Sequence, residues 1–474
     1  MAETRPYIFY DSAISICSTC LRRVEAKLVL RDGEVWMHKR CPEHGGERVL
    51  MADDAEYYRR AREVFLKPSE MPRRFQTKVE AGCPYDCGLC PDHEQHSCLS
   101  IIEVGDGCNL SCPVCYAGSG PHRMFWHPLA RIEAMLDAVV ASEGEPDVVQ
   151  ISGGEPTLHP DFWPILDAAK ARPIRHLMLN TNGIRITQDE GFAERLAQYM
   201  PGFEVYLQFD SLRREPQLAL RGADLRRVRE QAIEKLNRLG LSTTLVVTLR
   251  RGLNDDEIGG ILEYAVQQPA VRGVTFQPIQ DAGRNEGYDA ARDRLTLTEV
   301  RRRILEQTGL FQPADLLPVP CHSDALAMGY GLKTAKGFVP LTGLIDEQTL
   351  IEGSRNSITF ENNPELRQAV FEAFATNHSP ESGAASLKSL LLCCLPKIAL
   401  PKSIGYKDLF RVILMRFQDA HDFDLRSVKK SCVHIVHPGD LRIIPFDTYN
   451  LFYRGDLEQR VLAPLRQAAQ GAFL

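Results

Sequence analysis

The chain has 474 residues, of which 44% are hydrophobic and 25% are charged, and its formal net charge is −6. This composition is that of an ordinary globular protein, and the length allows roughly two to four domains. The negative charge argues against nucleic acid as a partner, and the arginine-rich segment 221–230 is expected to be a solvated helix face. No stretch reaches the ~18 apolar residues that span a membrane, and residues 1–10 lack the apolar core of a signal peptide. We therefore expect a cytoplasmic protein.

The fourteen cysteines are the most informative feature of the composition. Thiols are kept reduced in the cytosol, so disulfide bonds do not explain this number. Most of the cysteines fall into short groups whose spacing is typical of metal ligands. Metal binding is therefore the first hypothesis for them.

The cysteine groups and the apolar pattern divide the chain into four stretches. Residues 1–60 contain a small cysteine and histidine module, and residues 61–99 are a linker that ends in a tight cysteine group. Residues 100–310 alternate short apolar runs with amphipathic segments, whereas residues 311–474 are less regular and contain four further cysteines. We expect these stretches to correspond to structural units.

The middle stretch predicts an α/β fold. Short apolar runs predict strands at residues 100–104, 147–151, 176–179, 204–209, 243–248 and 273–277. Amphipathic segments predict helices between them, at residues 129–142, 161–171, 190–199, 224–239 and 255–268. This alternation favours a parallel sheet covered by helices, and the number of strands favours an open, partial (β/α)6 TIM-like barrel. In such folds the chemistry lies at the carboxyl ends of the strands.

The loop after the first predicted strand carries Cys108, Cys112 and Cys115 in a C-x3-C-x2-C pattern. Three thiolates on one tight loop can bind three irons of a [4Fe-4S] cluster, which normally takes four thiolates. The fourth iron is then open to a chelating ligand, and the amino and carboxylate groups of S-adenosylmethionine (SAM) suit that role. The alternative interpretation is a zinc knuckle.

Polar turns follow the next three predicted strands in chain order. The first offers glycines, which allow a ligand to approach the backbone, and a carboxylate that can take up the SAM ammonium group. The second is suited to ribose contacts. Each turn alone could be an ordinary loop, but all of them lie at the predicted carboxyl edge beside the cysteine loop. We predict that the following residues bind SAM: Gly153, Gly154, Glu155, Asn180, Asn182 and Asp210.

These motifs together resemble those of the radical SAM superfamily, over residues 100–310. The resemblance implies reductive cleavage of SAM to methionine and a 5′-deoxyadenosyl radical, which abstracts hydrogen from an unactivated C–H bond. It makes the three cysteines of the loop the catalytic cluster ligands and implies a reductant such as flavodoxin or ferredoxin. The superfamily commonly has an aromatic residue before the third cysteine. Here that position is Val114, so Tyr116 is the aromatic side chain expected to contact the cofactor.

A second cysteine group precedes the first predicted strand and has the spacing C-x3-C-x2-C-x7-C. Four thiolates so close together can complete a [4Fe-4S] site, although a structural zinc ion would use the same ligands. His93 and His96 lie in the last spacer, and either could replace the final cysteine. The predicted ligands of this auxiliary site are Cys83, Cys87, Cys90 and Cys98.

The N-terminal stretch has the pattern C-x2-C-x20-C-x2-H, which is typical of a zinc ribbon or a rubredoxin-like site. Two such pairs can bind one Zn²⁺ or one iron ion tetrahedrally, with a structural role. Either the histidine of this pattern or a water molecule could be the fourth ligand, and His38 is a competitor. The predicted ligands are Cys17, Cys20, Cys41 and His44.

The cysteines of the last stretch are too scattered for a local motif. Cys321 and Cys432 lie in loop-like contexts and could converge on a second auxiliary cluster. Neighbouring Cys393 and Cys394 rarely bind one cluster together, so we assign Cys394 alone to it. The alternatives are free buried cysteines or, for one of the neighbouring pair, a reactive thiol.

Residues 82–116 resemble a narrower, archaeal-type radical SAM group, and the element at residues 41–45 is similar too. That group includes tetraether lipid synthase and a dihydropterin methyltransferase, and several auxiliary iron sites accompany its SAM cluster. The resemblance implies one or two auxiliary [4Fe-4S] clusters and one zinc or mononuclear iron site.

Three functions remain open. The first is carbon–carbon coupling on a lipid-like chain, because the apolar segments 387–402 and 409–417 could line a tunnel or touch a membrane surface; the alternative is an ordinary core helix. The second is radical methyl transfer to a pterin or another heterocycle, with Cys393 or Cys394 as a methyl carrier or auxiliary clusters as electron donors. The third is maturation of a partner polypeptide, although no peptide-recognition module is evident.

Overall fold

The structure is a computed structural model that describes residues 6–334, 337–342 and 408–471. It contains an antiparallel N-terminal sheet and a large mixed sheet. Cys393, Cys394 and the segment 387–402 lie outside the described residues, so their predicted roles stay predictions. Among the helices in the described ranges, none has both the length and the hydropathy needed to cross a bilayer.

The N-terminal residues form a four-stranded antiparallel sheet with its strands in sequence order. Side chains alternate between the two faces of the strands, and the inward ones, such as Leu28 and Met37, share a small core with Tyr58 of the following helix. Asp54 caps that helix by accepting a hydrogen bond from the backbone of Tyr57. The elements are β1 (Ile8–Ile16), β2 (Arg23–Arg31), β3 (Glu34–Cys41), β4 (Gly45–Ala52) and α1 (Ala55–Glu63).

Parallel strands that are adjacent in both sequence and space form the centre of the large sheet. They are almost entirely buried because helices cover one face and the barrel interior the other. The strands match the predicted ones, and the partial-barrel prediction is confirmed. They are β5 (Leu99–Glu103), β7 (Val148–Ser152), β8 (His176–Thr181), β9 (Phe203–Gln208), β10 (Thr243–Leu249) and β11 (Val271–Pro278); the short β6 (Val114–Cys115) and β12 (Arg284–Asn285) pair with each other.

Amphipathic helices cover the outer face of these strands. Their apolar sides, with residues such as Leu136, Ile165, Leu236 and Ile261, join one core with the strands. The helices are α2 (Leu129–Glu143), α3 (Phe162–Lys170), α4 (Ile184–Gln188), α5 (Phe192–Ala197), α6 (Arg214–Arg221), α7 (Arg226–Leu239), α8 (Ile258–Gln267), α9 (Ala290–Asp293) and α10 (Leu297–Gln307).

Strands from the last stretch of the chain extend the central sheet at both edges. They are β13 (Leu317–Pro318), β14 (Leu326–Thr334), β15 (Gly337–Pro340), β16 (Leu409–Met415), β17 (Val433–Val436) and β18 (Ile443–Pro445). Strand β16 pairs with β11 and β17 pairs with β5, both in parallel. Segment 409–417 is therefore mostly a buried strand, with Phe410, Val412 and Leu414 fully buried. Because these side chains pack inside the sheet, the structure gives no support to the expectation that the segment touches a membrane surface.

Short helical elements complete the C-terminal part. Their buried side chains, such as Val428 and Phe452, join a second core that also contains Ile101 of β5. The elements are Leu425–Lys429, Phe446–Thr448, the π-helical turns Tyr449–Tyr453 and Glu458–Leu462, and Ala463–Gly471. Two 3-10 turns lie earlier in the chain, Pro156–Leu158 and Pro313–Asp315.

Candidate active site and metal centres

The loop after β5 places its three cysteines in one cavity at the carboxyl ends of the parallel strands. Cys112 is buried, whereas Cys108 and Cys115 are partly exposed. The cavity brings together nearly all of the predicted cofactor residues. Those that line it are Cys108, Cys112, Cys115, Tyr116, Gly153, Gly154, Glu155, Asn180 and Asn182.

The two glycines of the first polar turn allow close backbone contact with the cysteine loop. The backbone N–H groups of Gly154 and Glu155 donate to the carbonyl oxygens of Gly105 and Gly107, each at 2.8 Å. A Cβ atom on Gly154 would lie 2.0 Å from the Gly107 carbonyl oxygen, so no larger residue fits without moving the loop. Gly153 also has a φ of +126°, which favours glycine. The sequence predicts that these glycines make room for a bound ligand. In the structure, the atoms nearest to them belong to the loop that carries Cys108.

The Glu155 carboxylate connects the turn after β7 to the turn after β8. One of its oxygens accepts from the hydroxyls of Thr157 and Thr181 at 2.6 and 2.7 Å, and the other accepts from the backbone of Asn182 at 2.7 Å. Burial raises the pKa of Glu155, and these hydrogen bonds oppose the increase. The carboxylate thus fixes the position of Asn182. Its contact with the SAM ammonium group stays a prediction.

Asp210 does not line the cavity, contrary to the prediction. It is fully buried and accepts from Arg221 through both carboxylate oxygens at 2.6 Å. Burial opposes ionisation of Asp210, but the adjacent guanidinium group of Arg221 outweighs it and lowers the pKa of the carboxyl group. Arg221 also donates to Gln208 at 2.8 Å and lines the cavity beside Cys112. The residue that faces the cofactor region is therefore Arg221, and Asp210 orients it.

Arg229 is a second arginine that the sequence analysis missed. It lies on α7, is 1% exposed, and lines the same cavity. Within the described part of the chain, none of its three guanidinium nitrogens has a hydrogen-bond partner. Burial lowers its pKa to about 10. The negative charges of Asp210 and Glu155 oppose this decrease. A buried cation whose donors make no hydrogen bond is still costly, so the site favours a further anionic group such as a carboxylate. The expected solvated face at 221–230 is therefore wrong for this residue and for Arg221.

The far wall of the cavity combines aromatic and carboxamide side chains. The rings of Phe417 and Phe446 stack with their centroids 3.9 Å apart, and Tyr116 lies 5.0 Å from Phe446. Gln277 donates to the hydroxyl of Tyr206 at 3.1 Å. The Oε1 atom of Gln280 is buried and has no hydrogen-bond partner among the described residues. The wall thus offers flat apolar surfaces together with an unused acceptor; the residues that line it include Tyr116, Gln150, Tyr206, Gln277, Gln280, Phe417 and Phe446.

The predicted auxiliary group is divided in the structure. Cys83, Cys87 and Cys90 line a small cavity together with His93. Cys98 does not line it, and its sulfur atom instead lies with those of Cys321 and Cys432, all within 4.8 Å of one another. The assignment of Cys98 to the first three cysteines is therefore wrong.

The register of the central sheet explains this correction. In the parallel pairing of β5 with β17, Leu99 lies opposite Val433. The residues directly before these two positions are Cys98 and Cys432, so the pairing makes them neighbours. The partner of Cys98 is therefore decided by strand pairing between segments far apart in sequence, and not by the spacing of neighbouring cysteines.

The N-terminal module brings all of its predicted ligands together. The sulfur and nitrogen atoms of Cys17, Cys20, Cys41 and His44 lie within 4.8 Å of one another. The Sγ atoms of Cys20 and Cys41 are 3.9 Å apart, and Nδ1 of His44 lies 3.4 Å from Cys41 and 3.6 Å from Cys17. This geometry fits a tetrahedral site for one ion. The competitor His38 instead packs its ring against Tyr7.

Two family models match the chain. The model described as the radical SAM superfamily matches residues 102–265. The model described as the HMPTM N-terminal zinc ribbon domain matches residues 9–53. The first range covers the cysteine loop and most of the barrel strands, and the second covers all four ligands of the N-terminal module.

Several known proteins are similar to the chain. A 7,8-dihydro-6-hydroxymethylpterin dimethyltransferase of Methanocaldococcus jannaschii is 31% identical over 96% of this chain and 96% of its own length. A GTP 3′,8-cyclase of Chlorobaculum tepidum is 31% identical over 41% of this chain and 59% of its own. Among solved structures, Streptococcus suis SuiB bound to S-adenosylmethionine is 17% identical over 44% of this chain and 46% of its own, with a TM-score of 0.37. The similarity to the M. jannaschii enzyme over nearly the whole of both chains, together with the radical SAM model match, shows that the chain belongs to the radical SAM superfamily and is an enzyme whose cofactors are a [4Fe-4S] cluster and SAM.

Proposed function

We propose that the chain is a radical SAM methyltransferase that acts on a pterin-type heterocycle. The observation that carries this proposal is the 31% identity, over 96% of both chains, to the pterin dimethyltransferase of M. jannaschii. Lipid coupling, the function that the sequence patterns favoured, has less support. Of its two apolar segments, 409–417 is mostly a buried strand and contributes only Met415 and Phe417 to the described lining of the cavity, whereas 387–402 lies outside the described residues.

The wall of the cavity supports a flat, polar substrate. A pterin ring carries amide-like N–H and C=O groups along its edge, and carboxamide side chains pair well with such edges. Gln280 offers a buried acceptor without a partner among the described residues. Phe446 and Tyr116 offer ring faces on which a heterocycle can stack. A saturated lipid chain would leave the Gln280 oxygen unpaired, which costs about 1–3 kcal/mol.

The other side of the cavity supports SAM as the second occupant. Cys108, Cys112 and Cys115 would bind the [4Fe-4S] cluster, which when bound supplies the electron that cleaves SAM. Arg229 would pair with the SAM carboxylate, because its guanidinium group is buried there without a hydrogen-bond partner among the described residues. Arg221 would add positive charge beside Cys112.

The remaining metal sites complete the proposal. We assign Cys83, Cys87 and Cys90 to one auxiliary [4Fe-4S] cluster, with His93 as the candidate fourth ligand because it lines the same cavity. We assign one zinc ion to the N-terminal module, in agreement with the zinc ribbon model that matches it. A flavodoxin or ferredoxin as the reductant stays a prediction.

The test is an anaerobic assay of the reconstituted full chain with SAM, dithionite and 7,8-dihydro-6-hydroxymethylpterin. We expect 5′-deoxyadenosine by chromatography and a methylated pterin by mass spectrometry, and methyl-deuterated SAM reports whether SAM supplies the methyl group. Gln280→Leu should lose methylated pterin more than 5′-deoxyadenosine, whereas the exposed control Gln459→Leu should match the wild type. Unmodified pterin beside coupled chains of an added saturated lipid would reject the proposal in favour of lipid coupling.

A further inference from the structure

Three cysteines from distant parts of the chain form a site that no local motif predicts. Cys98, Cys321 and Cys432 are 0%, 3% and 0% exposed, so the site is closed to solvent. Their sulfur atoms all lie within 4.8 Å of one another, and those of Cys321 and Cys432 are 3.7 Å apart. Three buried thiols in mutual contact are an unusual core arrangement, and a metal ion would explain it.

The distances between the sulfur atoms distinguish a single ion from an iron–sulfur cluster. At a tetrahedral ion with metal–sulfur bonds of ~2.3 Å, neighbouring sulfur ligands lie ~3.8 Å apart. In a [4Fe-4S] cluster each thiolate binds a different iron, so the cysteine sulfurs are clearly farther apart. The observed 3.7 Å fits one ion.

The chain contains its own standards for this comparison. In the N-terminal module, which matches a zinc ribbon model, the corresponding sulfur–sulfur distance is 3.9 Å. The cysteines of the SAM loop and those at 83, 87 and 90 are all within the described ranges, and neither trio brings its three sulfur atoms within 4.8 Å of one another. The site at Cys98 thus resembles the zinc module rather than the loop that binds a cluster.

His96 is the candidate fourth ligand, although its ring nitrogens do not lie within 4.8 Å of all three sulfur atoms, as the ring nitrogen of His44 does in the N-terminal module, so its ring must move toward the site when an ion binds. Its Nε2 atom lies 3.6 Å from the sulfur of Cys98, the same distance as between His44 and Cys17 in the N-terminal module. Its Nδ1 atom lies 2.8 Å from a carboxylate oxygen of Glu143. Metal-bound histidines usually donate their other ring N–H to such a carboxylate. A second carboxylate, that of Glu70, lies 4.0 Å from the Nε2 atom of His96.

We propose that Cys98, Cys321, Cys432 and His96 bind one structural Zn²⁺ ion rather than a further iron–sulfur cluster. The ligand set is of the Cys₃His type that structural zinc sites use. The site lies at the amino ends of β5 and β17, and a barrel residue at that end contributes to stability rather than to chemistry. The residues that follow Cys98 and Cys432, which are Leu99 and Val433, line the cofactor cavity, so the ion would support the wall of the cavity from behind. The ion would join the first core strand to two segments of the C-terminal part, which are themselves 111 residues apart.

The first test is metal and sulfide analysis of the full chain, purified without oxygen from cells grown with sufficient iron and zinc. Cys432→Ser should lose about one zinc ion per chain and keep its acid-labile sulfide and iron. Cys20→Ser is the matched control, because it removes a ligand of the N-terminal module. It should also lose about one zinc ion, and the double variant about two. A loss of about four iron and four sulfide ions in Cys432→Ser, as expected for a cluster, would overturn the proposal, and so would no loss of metal.

A second test does not depend on the folding of a cysteine variant. The wild type should contain about two zinc ions per chain. Its zinc X-ray absorption spectrum should show sulfur and nitrogen ligands at the distances of a Cys₃His site. His96→Cys should keep both ions and increase the sulfur share of the signal, whereas His96→Ala should weaken binding of one of them. His437→Ala, at a histidine that pairs with Asp440 instead, should change neither. A wild type with a single zinc ion would refute the assignment, as would a His96→Cys spectrum identical to that of the wild type.

Discussion

Two cysteine sites lie at the two ends of the same five-residue strand, β5. Cys108 and its partners follow the strand on one loop, and two of the three are partly exposed. They face a cavity whose described lining includes polar groups without a hydrogen-bond partner. Cys98 precedes the strand, is fully buried, and meets two cysteines from distant segments. The first arrangement leaves room for a cofactor and a substrate, whereas the second is closed.

The difference shows how the same side chain serves two purposes in one fold. A reactive centre needs a coordination position open to a ligand, so its cysteines lie on a loop at the carboxyl ends of the strands. A structural centre needs complete coordination and rigid ligands, so its cysteines lie next to paired strands. Each of the following predictions separates these two kinds of site.

The largest expected effect is on catalysis at the loop. Cys112→Ala should reduce 5′-deoxyadenosine formation to background, because the cluster loses one of its three protein ligands. The melting temperature should change little, since the loop lies at the edge of the cavity. Chromatographic product assay and circular dichroism measure the two effects. If the variant made as much product as the wild type, this loop would not be the reactive centre.

The opposite pattern is expected at the buried site. Cys432→Ser should lower the apparent melting temperature by roughly 3 °C, if the lost ion contributes ~3 kcal/mol, which is modest for structural zinc. An unfolding entropy of about 2.1 cal/mol/K per residue corresponds to about 1 °C per kcal/mol for a chain of 474 residues. The remaining folded protein should still cleave SAM. Scanning calorimetry at a fixed rate, beside Cys112→Ala, measures the difference. If Cys432→Ser and Cys112→Ala had equal melting temperatures, the buried site would not be more important for stability than the reactive loop.

Arg229 provides a smaller, more specific effect at the reactive end. Arg229→Ala should weaken SAM binding roughly 30-fold or more, because losing a buried charge pair costs about 2 kcal/mol or more. Its melting temperature without SAM should fall only by the contribution of the buried aliphatic stem, because the guanidinium group has no hydrogen-bond partner among the described residues. Isothermal titration calorimetry measures the affinity, with Arg227→Ala on the exposed side of the same helix as the control. A large loss of stability with unchanged SAM affinity would show that Arg229 is structural.

The smallest expected effect concerns an ion pair that connects the C-terminal part of the chain to the N-terminal sheet without a metal ion. His421 pairs with Asp281 and with Glu47 of the N-terminal sheet, and these carboxylates raise its pKa to about 10. The raised pKa means that the charged histidine stabilises the fold fully below its unfolded pKa of ~6.5, and that this stabilisation is lost as the pH rises to about 10. His421→Gln should therefore be less stable than the wild type near pH 6 and nearly equal to it above pH 10. Thermal unfolding at several pH values measures the difference, and a constant difference across this range would contradict the assignment.

The sequence alone determined the features that depend on short-range spacing. The three cysteines of the C-x3-C-x2-C loop are close in sequence, the zinc ribbon ligands form two local pairs, and each strand or helix has its own local apolar pattern. These patterns therefore predicted the radical SAM fold and the cysteines of the reactive loop. A cluster loop needs its ligands on one flexible segment, and local sequence records that arrangement directly.

Only the tertiary structure decided how distant residues meet. The pairing of β5 with β17 moved Cys98 from its neighbours in sequence to Cys432. The packing of α6 and α7 turned Arg221 and Arg229 from an expected solvated face into the cavity. No local pattern contains this information, because strand register and helix orientation follow from the burial of apolar surface across the whole sheet. The result is one strand with a reactive centre at its carboxyl end and a closed, buried centre at its amino end.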